Sequence, residues 1–387
     1  MLVHGTRWRN NTSSHMAPSA EHSTMLRDSV ADFVGRNAGV GRARRLRGTP
    51  AEYDRGMWRQ MAQLGWLGIL VPERYGGLGL GLADAAVVAE GLARSLAPEP
   101  YTATAVLAVR ALDAAGSDLL KNLLLPQIAS GALIAALAWQ ERAGVLDANA
   151  VETVATPFEG GYRVNGVKRF VAGAAGADGF VVTARTAQGV GLFWVPCDAP
   201  GLERRLEPLA DGRHFGALSM RDVAVPREHA AVSPAAPPAA LAGALDDATV
   251  IISAELNGVM GRALEMSLDY MRTRVQFGKP IGSFQALQHR AVDLHIQREL
   301  ASAVLGEVLR VLDEHPDSHT RARMASRAKA RCSDAGSKIA RESIQLHGAI
   351  GFTDELDAGL YLKRTLVLSA WLGSAAYHRR RYAALTA

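Results

Sequence analysis

Cysteine is scarce in this chain of 387 residues, and hydrophobic runs of membrane-spanning length are missing. The two cysteines, Cys197 and Cys332, lie far apart and do not have the spacing of metal ligands. The sequence therefore indicates neither a disulfide framework nor a metal site, and a reducing cytoplasm is the compartment that fits. Because Asp, Arg or Gly interrupts each alanine-rich stretch, no apolar run is long enough to cross a bilayer, which excludes a transmembrane protein.

Blocks of like charge are also rare. The formal net charge is +5 and the sequence pI is near 9.3, but the basic residues are spread along the chain. Arg379 to Arg381 form the one tight basic run, which we interpret as a solvated helix end. The excess charge is compatible with a phosphorylated small-molecule ligand and argues only weakly for nucleic acid.

The hydrophobic pattern divides the chain into five parts. Residues 1–24 are polar and patternless and are expected to be a disordered extension, without the apolar core of a secretory signal. Helical periodicity follows over 25–135, and short β-branched or aromatic runs separated by Gly, Asp and Pro occupy 136–226. An Ala- and Pro-rich linker covers 227–240, and helical periodicity returns over 241–387. The predicted fold class is α+β but mainly α, with an N-terminal helical domain, a small central antiparallel β-domain and a C-terminal four-helix bundle.

One stretch, 270–290, joins two long helical patterns through Gly278, Pro280 and Gly282. It carries guanidinium groups, aromatic rings and carboxamides, a set that suits a ligand with both phosphates and flat rings. From composition alone, an ordinary helix hairpin with a solvated basic loop is an equally good interpretation.

This stretch resembles the signature of the acyl-CoA dehydrogenase family, through Arg-Val-Gln-Phe-Gly-Lys-Pro-Ile and the Phe-Gln pair that follows. The resemblance extends from about Met25 to the C-terminus and includes Trp66-Leu-Gly-Ile-Leu-Val-Pro-Glu with the glycines that follow. It implies that Arg274 and Phe277 contact FAD and that Gln285 reaches the FAD of a neighbouring subunit. Ile281 and Phe284 lie between these positions.

A second motif, Gln345-Leu-His-Gly-Ala-Ile-Gly-Phe-Thr, resembles the family segment that contacts the ADP part of FAD from a partner subunit. The resemblance implies roles for Gln345, Gly348 and Ala349. Without the resemblance, the same residues are equally typical of a helix that ends in a glycine C-cap.

The β-domain matches the family least well. Phe170-Val-Ala172 stands where members usually have Trp-Ile-Thr against the flavin, so Phe170 retains a ring while Ala172 lacks the hydroxyl. Leu146 replaces the usual serine, and Ser374 closes the segment that corresponds to Tyr-Glu-Gly-Thr. We expect looser flavin binding or a flavin site completed by another chain.

The family reaction needs a carboxylate that removes the proton α to a thioester while hydride leaves the β-carbon. The usual glutamate position is Leu372, and the alternative position near the start of the next long helix is Ala248. Asp247 is therefore the candidate base, although Asp246 and Asp247 are also typical of a charge pair at a helix N-terminus. Glu255, two turns further on, is expected to be buried and paired with an arginine.

The resemblance implies FAD-dependent α,β-dehydrogenation of an acyl-CoA or acyl-carrier thioester, in fatty-acid or steroid side-chain degradation. Electrons would pass to an electron-transferring flavoprotein, and the protein would be a homo- or hetero-oligomer, a dimer or tetramer. The Ala-Glu-Leu-x-Gly context of Glu255 and Tyr361-Leu-Lys-Arg364 resemble a bacterial branch that often forms heteromers. The alternative is thus a catalytically incomplete FAD-binding subunit whose partner supplies the glutamate. A nucleic-acid-associated flavoprotein of the same fold is a further rival.

Overall fold

The computed structural model describes residues 20–49, 52–232 and 237–386, in which a β-sheet lies between two groups of helices along the chain. The predicted order of helices, strands and helices is confirmed. The α-helices are α1 Ala20–Phe33, α2 Val40–Leu46, α3 Arg55–Gln63, α4 Leu82–Arg94, α5 Val109–Ala115, α6 Asp118–Ala129, α7 Pro237–Thr273, α8 Gln285–Asp313, α9 Ser318–His347, α10 Ala358–Ala370 and α11 Ala375–Ala384.

The predicted disordered extension falls mostly on residues 1–19, which lie outside the described residues. Helix α1 begins at Ala20, so residues 20–24 belong to the first helix. Within the described part of the chain, no helix combines the length and the apolar character needed to span a bilayer.

The central sheet has eight strands, in the order β6-β7-β3-β2-β4-β5-β8, with β1 added beside β4. Most pairs are antiparallel as predicted, but β1 and β2 both run parallel to β4. The charged edge strand β6 escaped prediction because its burial does not alternate, and β8 lies inside the predicted linker. The strands are β1 Ala135–Ala138, β2 Val154–Phe158, β3 Gly161–Ala172, β4 Gly179–Thr186, β5 Gly189–Pro196, β6 Leu202–Pro208, β7 His214–Pro226 and β8 Ala230–Val232.

Helix α7 is the central element of the helical part. Every residue from Ala244 to Gly261 is buried, so this stretch of α7 has no solvent-facing side. A helix that is buried all round must pack against neighbours on every face. It contacts α4 and α5 from the N-terminal helices and α8, α9 and α10 from the C-terminal ones. The two groups of helices consequently share one hydrophobic core, while the sheet has a second core of its own.

Gly258 sets how closely α7 approaches α4. A Cβ atom at this position would lie 2.2 Å from the backbone oxygen of Glu90, so alanine can be accommodated only if the helices move apart. Gly243, in the same helix, has no atom within 4 Å of such a Cβ.

We expect Gly258→Ala to lower the free energy of unfolding by about 1–3 kcal/mol, because it overpacks the α4–α7 contact. Gly243→Ala is the matched control, and it should raise stability by up to about 1 kcal/mol through helix propensity. Chemical denaturation of the two variants measures the difference. Equal changes would show that α4 and α7 are not in close contact.

Candidate active site

The signature stretch forms a small hairpin between α7 and α8. Strands β9 (Val275–Gln276) and β10 (Lys279–Pro280) pair antiparallel, and Phe277 and Gly278 turn between them with φ of 53° and 78°. Positive φ at both turn residues is the geometry that matches the twist of two-residue hairpins. The ring of Phe277 lies edge-on to that of Phe284, with 6.2 Å between centroids, yet 91% of Phe277 is exposed.

Arg274 precedes this hairpin and is exposed. Among the described residues, its guanidinium has neither a hydrogen-bond partner nor a carboxylate partner. Ile281 lies in the 3₁₀ turn after the hairpin, and Gln285 is the exposed first residue of α8. The hairpin and the residues that flank it therefore present a cation, a ring and an amide to solvent.

The second motif forms the turn that ends α9. Gly348 is the C-cap of α9, with φ of 65°, and Gln345, Gly348 and Ala349 are all exposed. The rings of Tyr270 at the end of α7 and His347 at the end of α9 lie 4.6 Å apart. The Nε of Arg290 in α8 also donates to Glu342 in α9, at 3.0 Å. These contacts bring the two motifs to the same end of the helical bundle, where we name them together the outer half-site.

A second group of predicted residues surrounds a cavity of about 630 Å³ between the sheet and the C-terminal helices, which we name the ring cavity. Its walls are mostly apolar and include the aromatic side chains of Phe170, Phe215, Trp371 and Tyr377, together with Ser374 and Arg380. None of the outer half-site residues lines this cavity. The predicted cofactor residues of one chain thus lie in two separate places.

Ala172 and Ser374 have particular surroundings. Ala172 lines a neighbouring cavity of only about 50 Å³, which it shares with Phe215 and Trp371. The Ser374 hydroxyl accepts a hydrogen bond from the Tyr377 backbone N–H and thereby caps α11. Its side chain therefore has a structural role at the rim of the ring cavity.

Three of these residues have strained backbones. Phe170, Phe277 and Leu372 have φ of 58°, 53° and 56°, in the left-handed region that side-chain-bearing residues rarely adopt. Such strain costs of the order of 1–3 kcal/mol per residue and concentrates where proteins bind ligands. No sequence pattern revealed it, because none of the three is Gly, Asn or Asp.

The surroundings of Asp247 do not favour its predicted role as the base. Its carboxylate is buried, and it accepts hydrogen bonds from Arg110 Nε at 2.6 Å and from a guanidinium nitrogen of Arg321. It lines none of the cavities described here. The helix-terminus interpretation is wrong, because α7 begins at Pro237 and Asp247 lies about three turns inside it.

Asp246, for which the sequence suggests only a helix-end charge, is the residue that lines a cavity. Together with Leu372 and His378 it lines a space of about 260 Å³ next to the ring cavity. Burial raises the pKa of Asp246 above its ordinary value, although the paired guanidinium of Arg381 opposes the rise. Adjacent helical residues point about 100° apart, so the rotation of α7 about its own axis decides which of the two carboxylates reaches the cavity.

Glu255 is buried and paired with an arginine, as expected. Its carboxylate accepts from Arg364 at 2.6 Å and from the Thr102 hydroxyl at 2.6 Å. Arg364 also donates to Asp211 at 3.0 Å, so the pair belongs to a buried network. A carboxylate held in this way is poorly suited to remove a proton from a substrate.

Leu372, which the family resemblance predicts at the usual base position, lies in the wall between the ring cavity and the space of about 260 Å³. It is 7% exposed and belongs to the helical core. An aliphatic side chain at this point can exclude water but cannot accept a proton.

Comparison with known proteins agrees with this architecture. Three family models match successive parts of the chain: the acyl-CoA dehydrogenase N-terminal domain at 20–132, the middle domain at 136–223 and the C-terminal domain at 239–385. Acyl-CoA dehydrogenase IpdE2 of Mycobacterium tuberculosis is 33% identical over 350 residues, which cover 90% of this chain and 92% of the relative.

Two solved structures share the fold over nearly the whole chain. A variant of the Tcur3481-Tcur3483 steroid ACAD is 31% identical with a TM-score of 0.83, and the match covers 95% of this chain and 98% of that one. A chain of the ChsE4-ChsE5 complex from Mycobacterium tuberculosis is 26% identical with a TM-score of 0.85 and the same coverage. With every part of the helix–sheet–helix order matched, the protein belongs to the acyl-CoA dehydrogenase family of FAD-binding flavoprotein oxidoreductases.

Proposed function

We propose that this chain is an FAD-binding subunit of a heteromeric acyl-CoA dehydrogenase and that a partner chain supplies the catalytic carboxylate. The observation that carries the proposal is Leu372, an aliphatic residue at the turn where the base is expected, in the wall of the ring cavity. Proton removal α to a thioester needs a positioned base, and general-base catalysis typically contributes a factor of about 10²–10⁴.

The nearby carboxylates do not replace the missing base. Among the described residues of α7, Asp246 is held by Arg381, Asp247 by Arg110 and Arg321, and Glu255 by Arg364. Each carboxylate is therefore bound in an ion pair, and removal of the arginine would leave a buried negative charge unpaired.

The residues present fit FAD when the two groups belong to different chains of an oligomer. The exposed Arg274 offers bidentate donors for a phosphate, and the exposed Phe277 offers a ring face for stacking. The ring cavity, with Phe170 and Trp371 in its walls, is large enough for a flat heterocycle. When bound, FAD supplies the hydride acceptor of the reaction.

Two of the solved structures support the heteromeric arrangement. The Tcur3481-Tcur3483 steroid ACAD and the ChsE4-ChsE5 complex each carry two component names, and both align with 95% of this chain. By this analogy we propose an acyl-CoA of steroid or fatty-acid degradation as the substrate class and an electron-transferring flavoprotein as the electron acceptor. An acyl-carrier thioester is the alternative form of the substrate.

We expect the purified chain, supplied with FAD, to keep its flavin oxidised when a panel of acyl-CoAs is added anaerobically, because no base is available. Leu372→Glu should introduce a carboxylate at the cavity wall and increase the rate of flavin bleaching by about a hundredfold or more. Flavin absorbance is the measurement, and chemical reduction by dithionite is the positive control.

Asp247→Asn is the matched variant for this experiment, and its flavin should also stay oxidised when acyl-CoAs are added. Fast bleaching of the wild-type flavin that is lost in Asp247→Asn would identify a self-sufficient dehydrogenase with Asp247 as its base. Fast bleaching of the flavin in both the wild type and Asp247→Asn would also overturn the proposal that a partner chain supplies the carboxylate.

Arg274→Ala should weaken FAD binding by about 10- to 100-fold, the loss expected for one charge-assisted contact of about 1.5–3 kcal/mol. Thermal stability without FAD should not change, because the side chain is exposed. Arg272→Ala is the control, since Arg272 is exposed in the same segment and pairs with Asp269. Equal effects of the two substitutions on FAD affinity, measured by titration, would argue against a specific phosphate contact.

A further inference from the structure

Lys329 in α9 has unusual surroundings for a lysine. Its side chain is fully buried, and no carboxylate in the described part of the chain forms an ion pair with it. Four backbone carbonyl oxygens surround its Nζ instead: Leu368 at 2.8 Å, Ser369 at 3.4 Å, Trp371 at 2.7 Å and Gly373 at 3.0 Å.

These carbonyls belong to the end of α10 and to the turn that follows it. The last carbonyls of a helix lack partners within the helix and carry partial negative charge, so an ammonium group suits this position. Burial lowers the pKa of Lys329 to about 7, while the four acceptors favour its protonated form, which has three donors. The ammonium therefore joins the end of α10 to the turn 371–374.

The turn has a conformation that needs such support. Leu372 has φ of 56° and Gly373 has φ of 109°. A Cβ atom on Gly373 would lie 2.7 Å from the Tyr377 ring and 2.9 Å from His378 Nε2, so the turn packs tightly against α11.

His378 of α11 holds the same turn from the other side. Its Nε2 lies 2.9 Å from the Leu372 carbonyl oxygen, and its Nδ1 lies 3.3 Å from the Ser326 hydroxyl. Burial and then the nearby charge of Lys329 lower the pKa of His378 to about 3. A neutral imidazole that donates from Nε2 to Leu372 and accepts at Nδ1 from Ser326 satisfies both contacts.

We infer that Lys329 and His378 are positioning residues that clamp the turn 371–374 from α9 and α11, fixing Trp371 and Leu372 as the wall of the ring cavity. In the proposed function, this wall is what a bound flavin ring would pack against. Without the ammonium, four carbonyls lose a shared donor, and the left-handed Leu372 is free to relax and move the Trp371 ring.

Amide hydrogen exchange tests the clamp without any cofactor. The informative amides are those of Trp371, Gly373 and His378, which donate to Val367 O, Ala370 O and Ser374 O respectively. Lys329→Met should speed exchange in peptides covering 368–378 by tenfold or more and leave α4 and the sheet unchanged. Lys329→Arg, which keeps a cation and its donors, should restore part of the protection.

Lys338→Met is the matched control, since Lys338 is an exposed lysine of the same helix. Unchanged exchange around the turn in Lys329→Met, or an equal increase over the whole chain, would overturn the inference. Should Lys329→Met fail to fold, His378→Ala tests the same turn from α11, with His378→Gln as the variant that keeps a donor. Faster exchange confined to the turn in the alanine variant supports the clamp, and slow exchange in both variants refutes it.

The flavin provides a readout that a general loss of stability would not change. In FAD-loaded protein, Lys329→Met should blur the fine structure of the visible absorption band, and Lys329→Arg should recover it. If the wild type takes up no FAD, the proposed function fails, but the exchange result stands. If FAD binds normally and turn protection is unaltered in Lys329→Met, the clamp fails and the proposed function stands.

The pH dependence of stability tests the state of His378. Its folded pKa of about 3 lies below the ordinary 6.5, so the unfolded chain takes up the proton first as pH falls. The neutral imidazole therefore contributes its full stabilisation above about pH 6.5. As pH falls from there towards 3, this contribution is lost progressively, and the equilibrium constant for folding falls by up to tenfold per pH unit. The charged groups that face His378 are Lys329 and Arg381, and Arg381 is bound by Asp246.

Relative to wild type, His378→Gln should reduce the slope of the unfolding free energy against pH over this range, by the amount that one bound proton contributes. Denaturation midpoints between pH 4 and pH 7 measure the difference. Parallel curves would show that the histidine is not held neutral in the folded protein, and the clamp from α11 would then be rejected.

Discussion

A charge that is buried inside a helical bundle must be paired, and this constraint shapes the centre of the molecule. Helix α7 is buried on every side over its middle turns, yet it carries Asp246, Asp247 and Glu255 there. Their guanidinium partners come from four surrounding helices: Arg110 from α5, Arg321 from α9, Arg364 from α10 and Arg381 from α11. Breaking one such pair by removing a single partner typically costs about 3–5 kcal/mol, so the pairs fix how the helices are arranged around α7.

The same pairing determines what the site can do. Carboxylates held between guanidinium groups support the packing but are not free to accept a proton from a substrate. The turn after α10 contributes an apolar residue, Leu372, to the wall of the ring cavity. In the proposed function, such a chain would hold the flavin while a partner chain supplies the base.

The separation of the cofactor residues has an equally physical basis. Arg274 and Phe277 lie at one end of the bundle, exposed at a hairpin, whereas Phe170 and Trp371 both line a cavity beside the sheet. A ligand as long as a dinucleotide requires both kinds of surface. In the proposed function, the hairpin end of one chain would lie against the ring cavity of another, and the two chains together would supply both surfaces.

The sequence by itself determined the order of the domains, because the change from helical periodicity to short β-branched runs and back again depends only on local burial. It also determined the cofactor class, through motifs whose Gly and Pro residues specify turns, and it excluded a base at Leu372 by chemistry alone. Tertiary structure decided which acidic residue of α7 faces a cavity, since the rotation of a helix about its axis is set by its neighbours. It also decided that Lys329, an unremarkable lysine in a helical pattern, lies buried among four carbonyl groups, because residues from distant helices meet only when the bundle has formed.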